Sequence, residues 1–487
     1  MIIAMIPAAS SSLPMLSILL FTLISLHHVS AAQQCELSRY TTQPKVFVLT
    51  DMSNEPDDQM SLVRFLTYAN EFDIQGIAGV TSVWKNDSID TSTIKTVINA
   101  YGNVTTNLNA NVPRNATYPT GAFILPKVHS GHPVYGLAAL NMTPSDAALA
   151  LVNSIDTTTA DHPIWLAIWG GAAVLAESLQ HVSQTRNSSS LATFISKLRV
   201  YSISDQDDAG AWIRATYPSL FYIVSLHAFS EYSLASWTGI SGGGLFDQGG
   251  PDPSLVTNDW LQQHIRIGSL GAHYPDIAFI MEGDTPSFLP LIQNGLGDLN
   301  HPEWGSWGGR FKPLDASRRT NTFTDAADYV QGLNGQFFMS SFATIWRWRK
   351  AYQYDFAARM AWTTSSNYEK NNHAPVAVVN ETCGPGAMSV EIKYNDTVVL
   401  DASGSWDPDS DGLRYTWFNY RDVATRLVGG IPAVDDMMNI TTLNEEGSIV
   451  RVKLNQQLPM HLILSLEDIR PNDLSITTYR RIILNPT

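Results

Sequence analysis

The chain has 487 residues, enough for two or three domains with substantial cores. Its 44% hydrophobic and 10% aromatic content marks a globular rather than a disordered protein. A formal net charge of −15, with no basic face apparent, argues against nucleic acid as a partner.

At the amino terminus, Met15 to Ile24 is a short apolar run followed by the small-residue pattern Val29-Ser-Ala31. This predicts a cleaved signal peptide over residues 1–31, although no Lys or Arg precedes the run. The run is short and interrupted by Ser and Thr, so no membrane anchoring is expected there, and no later segment reads as transmembrane. Eight N-x-S/T sequons begin at Asn86, Asn103, Asn115, Asn141, Asn187, Asn380, Asn395 and Asn439. Together they predict a secreted, extracellular glycoprotein. The two cysteines, Cys35 and Cys383, are expected to pair in such an oxidising compartment.

From Lys45 onward, apolar strands alternate with helical patterns. Lys45 to Leu49, Ile74 to Val80, Ile164 to Trp169, Leu198 to Ser204 and Leu220 to Leu226 read as buried strands. Segments near 56–69, 90–101, 144–155 and 172–181 read as helices. The alternation predicts an α/β domain over 40–370, with a mostly parallel sheet flanked by helices. Asp276 to Met281 reads as a further strand and 324–363 as helical. The glycine-rich stretch Ser241 to Pro253 is a loop, either a rim of the pocket or a plain connector.

The densest chemistry lies in Asp51-Met-Ser-Asn-Glu-Pro-Asp-Asp58, where the first strand gives way to a helix. Asp57 and Asp58 suit a helix start, where the dipole stabilises carboxylates by about 0.3–1 kcal/mol each. Four acids in eight positions repel one another, and a hard cation with oxygen ligands would offset that repulsion. Later acids at expected strand ends extend the candidate site. Asp207, in Ser204-Asp-Gln-Asp-Asp-Ala209, either contacts substrate hydroxyls or caps a helix. Glu282 and Asp284 are candidates for the last sugar or metal contact. The loop His301-Pro-Glu-Trp-Gly-Ser-Trp307 offers His301, Trp304 and Trp307 for stacking on and bonding to a sugar, or else packs as an aromatic loop.

These motifs resemble those of the nucleoside hydrolase superfamily, whose signature is D-x-D-P-G-x-D-D after the first strand. Aligned on the last pair, Asp51, Asp57 and Asp58 take the first, third and fourth acids. The resemblance implies calcium held by Asp51 and Asp58, and sugar hydroxyls gripped by Asp57. Ser53 falls where the family places the second acid, which activates water. Ile164 to Leu179 is similar to the family's strand–loop–helix segment, implying a cation ligand from the Ala173 carbonyl, with Val174 in place of an Asn. Asn54 to Gln59 and Glu282 to Ser287 look closest to a secreted branch described as cellulose-binding, with a nucleoside-hydrolase-like domain and a C-terminal immunoglobulin-like domain.

Past His373-Ala-Pro375 the pattern changes to short strands, clearest at Thr397 to Leu400, Arg414 to Phe418, Ile449 to Leu454 and His461 to Leu466. A small all-β, immunoglobulin-like sandwich is expected over 374–487. Asp407, Asp409 and Asp411 lie in a turn motif similar to those of such sandwiches and read as turn formers or calcium ligands.

The expected activity is metal-assisted hydrolysis of an N- or O-glycosyl bond in a carbohydrate or glycoside. Glu55 or Asp51 replaces the base missing at Ser53. The alternative is a carbohydrate-binding protein that keeps the scaffold without turnover. A lyase is a third possibility.

Overall fold

The computed structural model describes residues 35–36, 38–41, 43–242, 245–424, 437–470 and 474–487. The expected signal peptide lies outside them. An eight-stranded sheet runs in the order β3-β2-β1-β4-β5-β6-β8-β7. Its strands are β1 (Lys45–Thr50), β2 (Asp73–Gly79), β3 (Val128–Ser130), β4 (Ile164–Ile168), β5 (Leu198–Ser202), β6 (Phe221–Val224), β7 (Phe311–Pro313) and β8 (Thr322–Asp325). All neighbours pair in parallel except β7 with β8.

Period-two alternation along buried strands explains the two cores. Val46, Val48, Trp165, Ala167 and Tyr201 face one helical layer, while Phe47, Leu49, Leu166, Ile168 and Val200 face the other. The helices Asp57–Thr67, Ser92–Gly102, Asp146–Asp156 and Ala173–Thr185 lie where the apolar spacing predicts them. Strand order reverses direction between β1 and β4, and that junction opens a crevice at the strands' carboxyl ends.

Two expected elements differ. Asp276 to Met281 is a loop with a single bridge between Ala278 and Ile280, because Phe279 turns the chain with φ +68°. The first part of 324–363 is extended: β9 (Asp328–Gln331) and β10 (Phe337–Ser340) pair as a hairpin, and helices follow at Ala343–Trp346 and Arg349–Thr364. Gly335, at φ +80°, makes the turn that a helix would not tolerate.

Beyond residue 376, seven strands form two sheets around one core. The first contains β11 (Met388–Ile392), β13 (Gly412–Asn419), β16 (Met460–Ile469) and β17 (Thr477–Pro486). The second contains β12 (Thr397–Asp401), β14 (Met438–Thr442) and β15 (Ile449–Leu454). Pairing is antiparallel except for β11 with β17.

The two domains share a packed seam. Trp348 packs against Phe418, Tyr420 and Tyr479, so the second domain's aromatics enter the first domain's core. The buried Asp328 carboxylate pairs with Arg310 and Arg347 and accepts from Tyr420 Oη at 2.8 Å. Cys35 and Cys383 form a disulfide that ties the described amino-terminal end to the second domain. All eight sequon asparagines are exposed. No helix among the described residues is long and apolar enough to cross a membrane.

Because this disulfide closes a very long loop, Cys35→Ser with Cys383→Ser should lower unfolding free energy by about 2–4 kcal/mol in urea titrations. Unchanged stability would show that the seam alone holds the ends together.

Candidate functional site

The crevice between β1 and β4 opens into a cavity of about 340 Å³. Asp51, Asn54, Glu55, Asp57, Asp58 and Asp284 line its floor, and Trp84, Trp169, Tyr232, Trp237 and Phe279 supply aromatic walls. Its size suits a small ligand or one end of a longer one.

Each acid arrives for a local reason. Asp51 leaves the buried end of β1, and Gly170 leaves the paired end of β4. A side chain on Gly170 would put Cβ 2.8 Å from Asp51 Oδ1, so the loop after β4 must lack one. Pro56 precedes the helix Asp57–Thr67, whose first turn carries Asp57 and Asp58. Thr50 Oγ1 donates to Asp58 Oδ1.

Asp284 comes from a distant segment and is held by a buried lock. Arg64, on the Asp57–Thr67 helix, pairs through Nε with Glu282 Oε2, and its Nη2 donates to Glu282 Oε1 at 3.2 Å. Tyr274 also donates to Glu282, while Thr285 Oγ1 bonds both Glu282 Oε2 and Ser61 Oγ. The lock fixes Asp284 beside the helix start. Asp57, Asp58 and Asp284 each place an oxygen within 4.8 Å of the others.

The electrostatics are unfavourable as long as only protein surrounds these groups. Asp51, Asp57, Asp58 and Asp284 are 3%, 7%, 4% and 2% exposed, so little water screens their repulsion. Burial, opposed by a Ser82 hydrogen bond, pushes Asp51 up to about 6. Burial with Glu55 and Asp51 nearby pushes Asp57 up to about 7. Asp58 and Asp284 rise well above the ordinary carboxylate range, by burial first and by mutual repulsion second. Glu55, partly exposed at the rim, is raised by burial. Asp284 Oδ2 is buried without a hydrogen-bond partner. Such a set of oxygens fits a hard divalent cation.

The structure redistributes the expected roles. Asp57, expected to grip sugar hydroxyls, joins Asp58 and Asp284 in the convergent trio, while Asp51 lines the same cavity beside it. Ser53 turns away in the left-handed region, φ +71°, and donates to Asp90 Oδ2 at 2.6 Å. Ala173 is not a cavity residue. It opens a helix, whose carbonyls point towards the carboxyl end and away from the crevice, and its N–H donates to Asp207 at 3.1 Å. Asp207 is a buried brace rather than a substrate contact, because its other oxygen accepts from Ala209 N–H. Glu282 is committed to Arg64 and fully buried.

The His301–Trp307 loop belongs to the domain seam, not the cavity. His301 stacks on Trp304 at 3.9 Å, the Trp304 carbonyl accepts from Arg481, and Trp307 is buried against Tyr479. Sequence reasoning missed Trp84, Tyr232, Trp237 and Phe279. Trp84 lies just past β2, Tyr232 and Trp237 sit in short 3-10 helices and Phe279 in a loop, none with a periodic signature.

With this geometry established, the comparisons with known proteins are specific. Residues 45–311 match the family model described as "Cellulose-binding Sde182, nucleoside hydrolase-like domain". The chain belongs to this family. Residues 397–486 match a second model, "Cellulose-binding protein Sde0182, C-terminal domain". A solved nucleoside hydrolase-related hypothetical protein from Saccharophagus degradans, described as associated with carbohydrate metabolism, is 31% identical. That match covers 91% of this chain and 100% of the other, with a TM-score of 0.73. The effector protein XOO4466 is 10% identical over 68% of this chain and 97% of the other, with a TM-score of 0.33. The type III effector XopQ, solved with adenosine diphosphate ribose, is 10% identical over 69% and 97%, with a TM-score of 0.30. Neither effector bears on function at that distance. No curated protein matches the chain.

Two outcomes follow from the site's electrostatics. Removing the Glu282 carboxylate with Glu282→Ala strands Arg64 in the core, and should cost about 3–5 kcal/mol in urea unfolding. The metal-stripped protein should also lose stability as pH rises. Folded Asp51 and Asp57 keep protons up to about 6 and about 7, whereas unfolded aspartates release them near 3.8. The folded state therefore binds more protons across that window, and unfolding free energy falls from about pH 4 to pH 7. A millimolar divalent cation should restore it at pH 7, as read by thermal melts. A flat apo profile would contradict the reading.

Proposed function

We propose that this protein is a secreted carbohydrate-active hydrolase. Its α/β domain would bind a glycoside against a calcium-class cation held by Asp58, Asp284, Asp57 and Asp51, and cleave the glycosyl bond with water. The observation that carries this reading is the convergence of Asp57, Asp58 and Asp284 at the sheet's switch point, with Asp284 Oδ2 left without a partner.

A bound cation would neutralise the carboxylates and make a nearby water more acidic. The chain's own residues do the rest. Glu55, at the rim, would take a proton from water, and burial raises its affinity for protons. Asp57 and Asp51, which line the cavity, would also bond sugar hydroxyls. Trp84, 50% exposed and packed edge-on against Tyr232, offers a face for a sugar ring. Trp237 and Trp169 exclude water from the floor. Secretion is supported by the exposed sequons, the disulfide and the amino-terminal apolar run.

A second reading is a cellulose- or carbohydrate-binding protein without turnover. The turning of Ser53 towards Asp90 favours it, because no carboxylate occupies that position. The family's printed description as cellulose-binding points the same way.

The test is turnover of a nucleoside and oligosaccharide panel by metal-stripped protein, with and without calcium. Asp58→Asn and Asp284→Asn should each reduce calcium-dependent product release by at least about 100-fold, the scale of losing a positioned charge at the reacting centre. Undiminished turnover in either variant would overturn the mechanism. Pull-down on insoluble cellulose with no product released under any condition would establish the binding reading.

A further inference from the structure

A second group of carboxylates lies far along the chain, in the β-domain. The turn Asp407-Pro-Asp-Ser-Asp-Gly412 leads into β13. Asp407 Oδ1 accepts from Asp409 N–H at 2.8 Å and Asp411 N–H at 3.1 Å, which folds the alternate acids onto one side. One oxygen from each of Asp407, Asp409 and Asp411 lies within 4.8 Å of the other two. Opposite ligands on one calcium ion are separated by about that distance, since its oxygens sit at roughly 2.3–2.6 Å. The spacing also reproduces the first six positions of the calcium-loop pattern D-x-D-x-D-G.

Turn chemistry explains Asp407 Oδ1 but not the oxygens left over. Asp407 is 8% exposed, and its Oδ2 is buried with no hydrogen-bond partner. Asp411 Oδ2 is likewise buried and without a hydrogen bond. A fourth acid, Asp468, stands on the neighbouring strand β16, whose register pairs Asp468 with Leu413, just past the turn. It is fully buried; Oδ1 accepts from Ile476 N–H, and Oδ2 has no hydrogen-bond partner.

Arg470 stands 3.8 Å from Asp409 and 3.9 Å from Asp411, bringing one positive charge to four carboxyl groups. His373 touches only Asp409, through its N–H and Nδ1, each at 2.8 Å. Neither supplies a donor to the orphaned oxygens of Asp407, Asp411 and Asp468. Buried acceptors without donors are costly. A cation with oxygen preference, held by Asp407, Asp409 and Asp411, satisfies the Asp407 and Asp411 oxygens together.

We propose that Asp407, Asp409 and Asp411 form a calcium-class cation site that braces the join between the two domains. The join runs through Asp409. That carboxylate holds His373, whose ring stacks on Tyr368 at 3.7 Å and on Trp362 at 5.3 Å, both from the α/β domain's final segment. A cation that fixes the turn thereby fixes the linker. The site stands independently of the α/β-domain reading, because no residue is shared.

The experiment is calcium titration calorimetry on the full, metal-stripped chain, comparing wild type with Asp407→Asn, Asp411→Asn and Asp58→Asn. Asp407→Asn and Asp411→Asn should each lose about one bound ion per chain relative to wild type, with affinity in the range of about 0.1–1 mM typical of extracellular modules. Asp58→Asn should keep that ion, which separates failure here from failure of the α/β-domain site. Hydrogen exchange on the wild type needs no variant: calcium should slow exchange in residues 405–413 and 373–376. Equal stoichiometry in wild type, Asp407→Asn and Asp411→Asn, or exchange unaltered by calcium, would overturn the proposal and leave Arg470 as the counter-charge.

Discussion

Four carboxylates pressed together out of water, where a parallel sheet changes direction, set the terms for the rest of the α/β domain. Asp51, Asp57, Asp58 and Asp284 repel one another, and burial intensifies the repulsion. A fold tolerates such a group when a cation or protons neutralise it and when the backbone around it cannot relax. Gly170 clears space for Asp51, and the Arg64–Glu282 pair clamps the loop bearing Asp284 to the helix bearing Asp57 and Asp58. The lock pairs one positive with one negative charge and is held by Tyr274 and Thr285, so it places the acids without adding net charge.

The second domain is coupled rigidly to this scaffold. Its Tyr420 and Tyr479 complete the first domain's aromatic core, and Asp328 gathers Arg310, Arg347 and Tyr420 at the join. The α/β domain that carries the cavity and the β-domain are thus joined through one packed seam.

What the sequence reveals follows the range of each physical signal. The buried strands β1, β4 and β5 are continuous apolar runs, and their helices repeat at 3.6 residues, so both were legible. The Asp51–Asp58 cluster was legible because its acids are contiguous at a strand–helix junction. Asp284 follows a segment that reads as a strand and is a loop in the structure, yet it still lines the cavity. Trp304 and Trp307 looked like sugar platforms because exposed tryptophan is unfavourable, but the β-domain covers them. Only tertiary contact with Tyr479 and Arg481 reveals that. The β9–β10 hairpin hid within a stretch that reads as helical. Ala173 failed by direction: a residue at a helix's first position turns its carbonyl along the axis.

The most direct measurement is calcium titration calorimetry at about pH 6.5 in buffers of differing ionisation enthalpy, using the Asp407→Asn chain so that heat from the β-domain is removed. Carboxyls that hold protons near neutrality must release them when a cation enters, so the observed enthalpy should vary with buffer, reporting net proton release. Binding heat that is identical in every buffer, or absent altogether, would contradict the claim that this crowded acidic group is built to hold a cation.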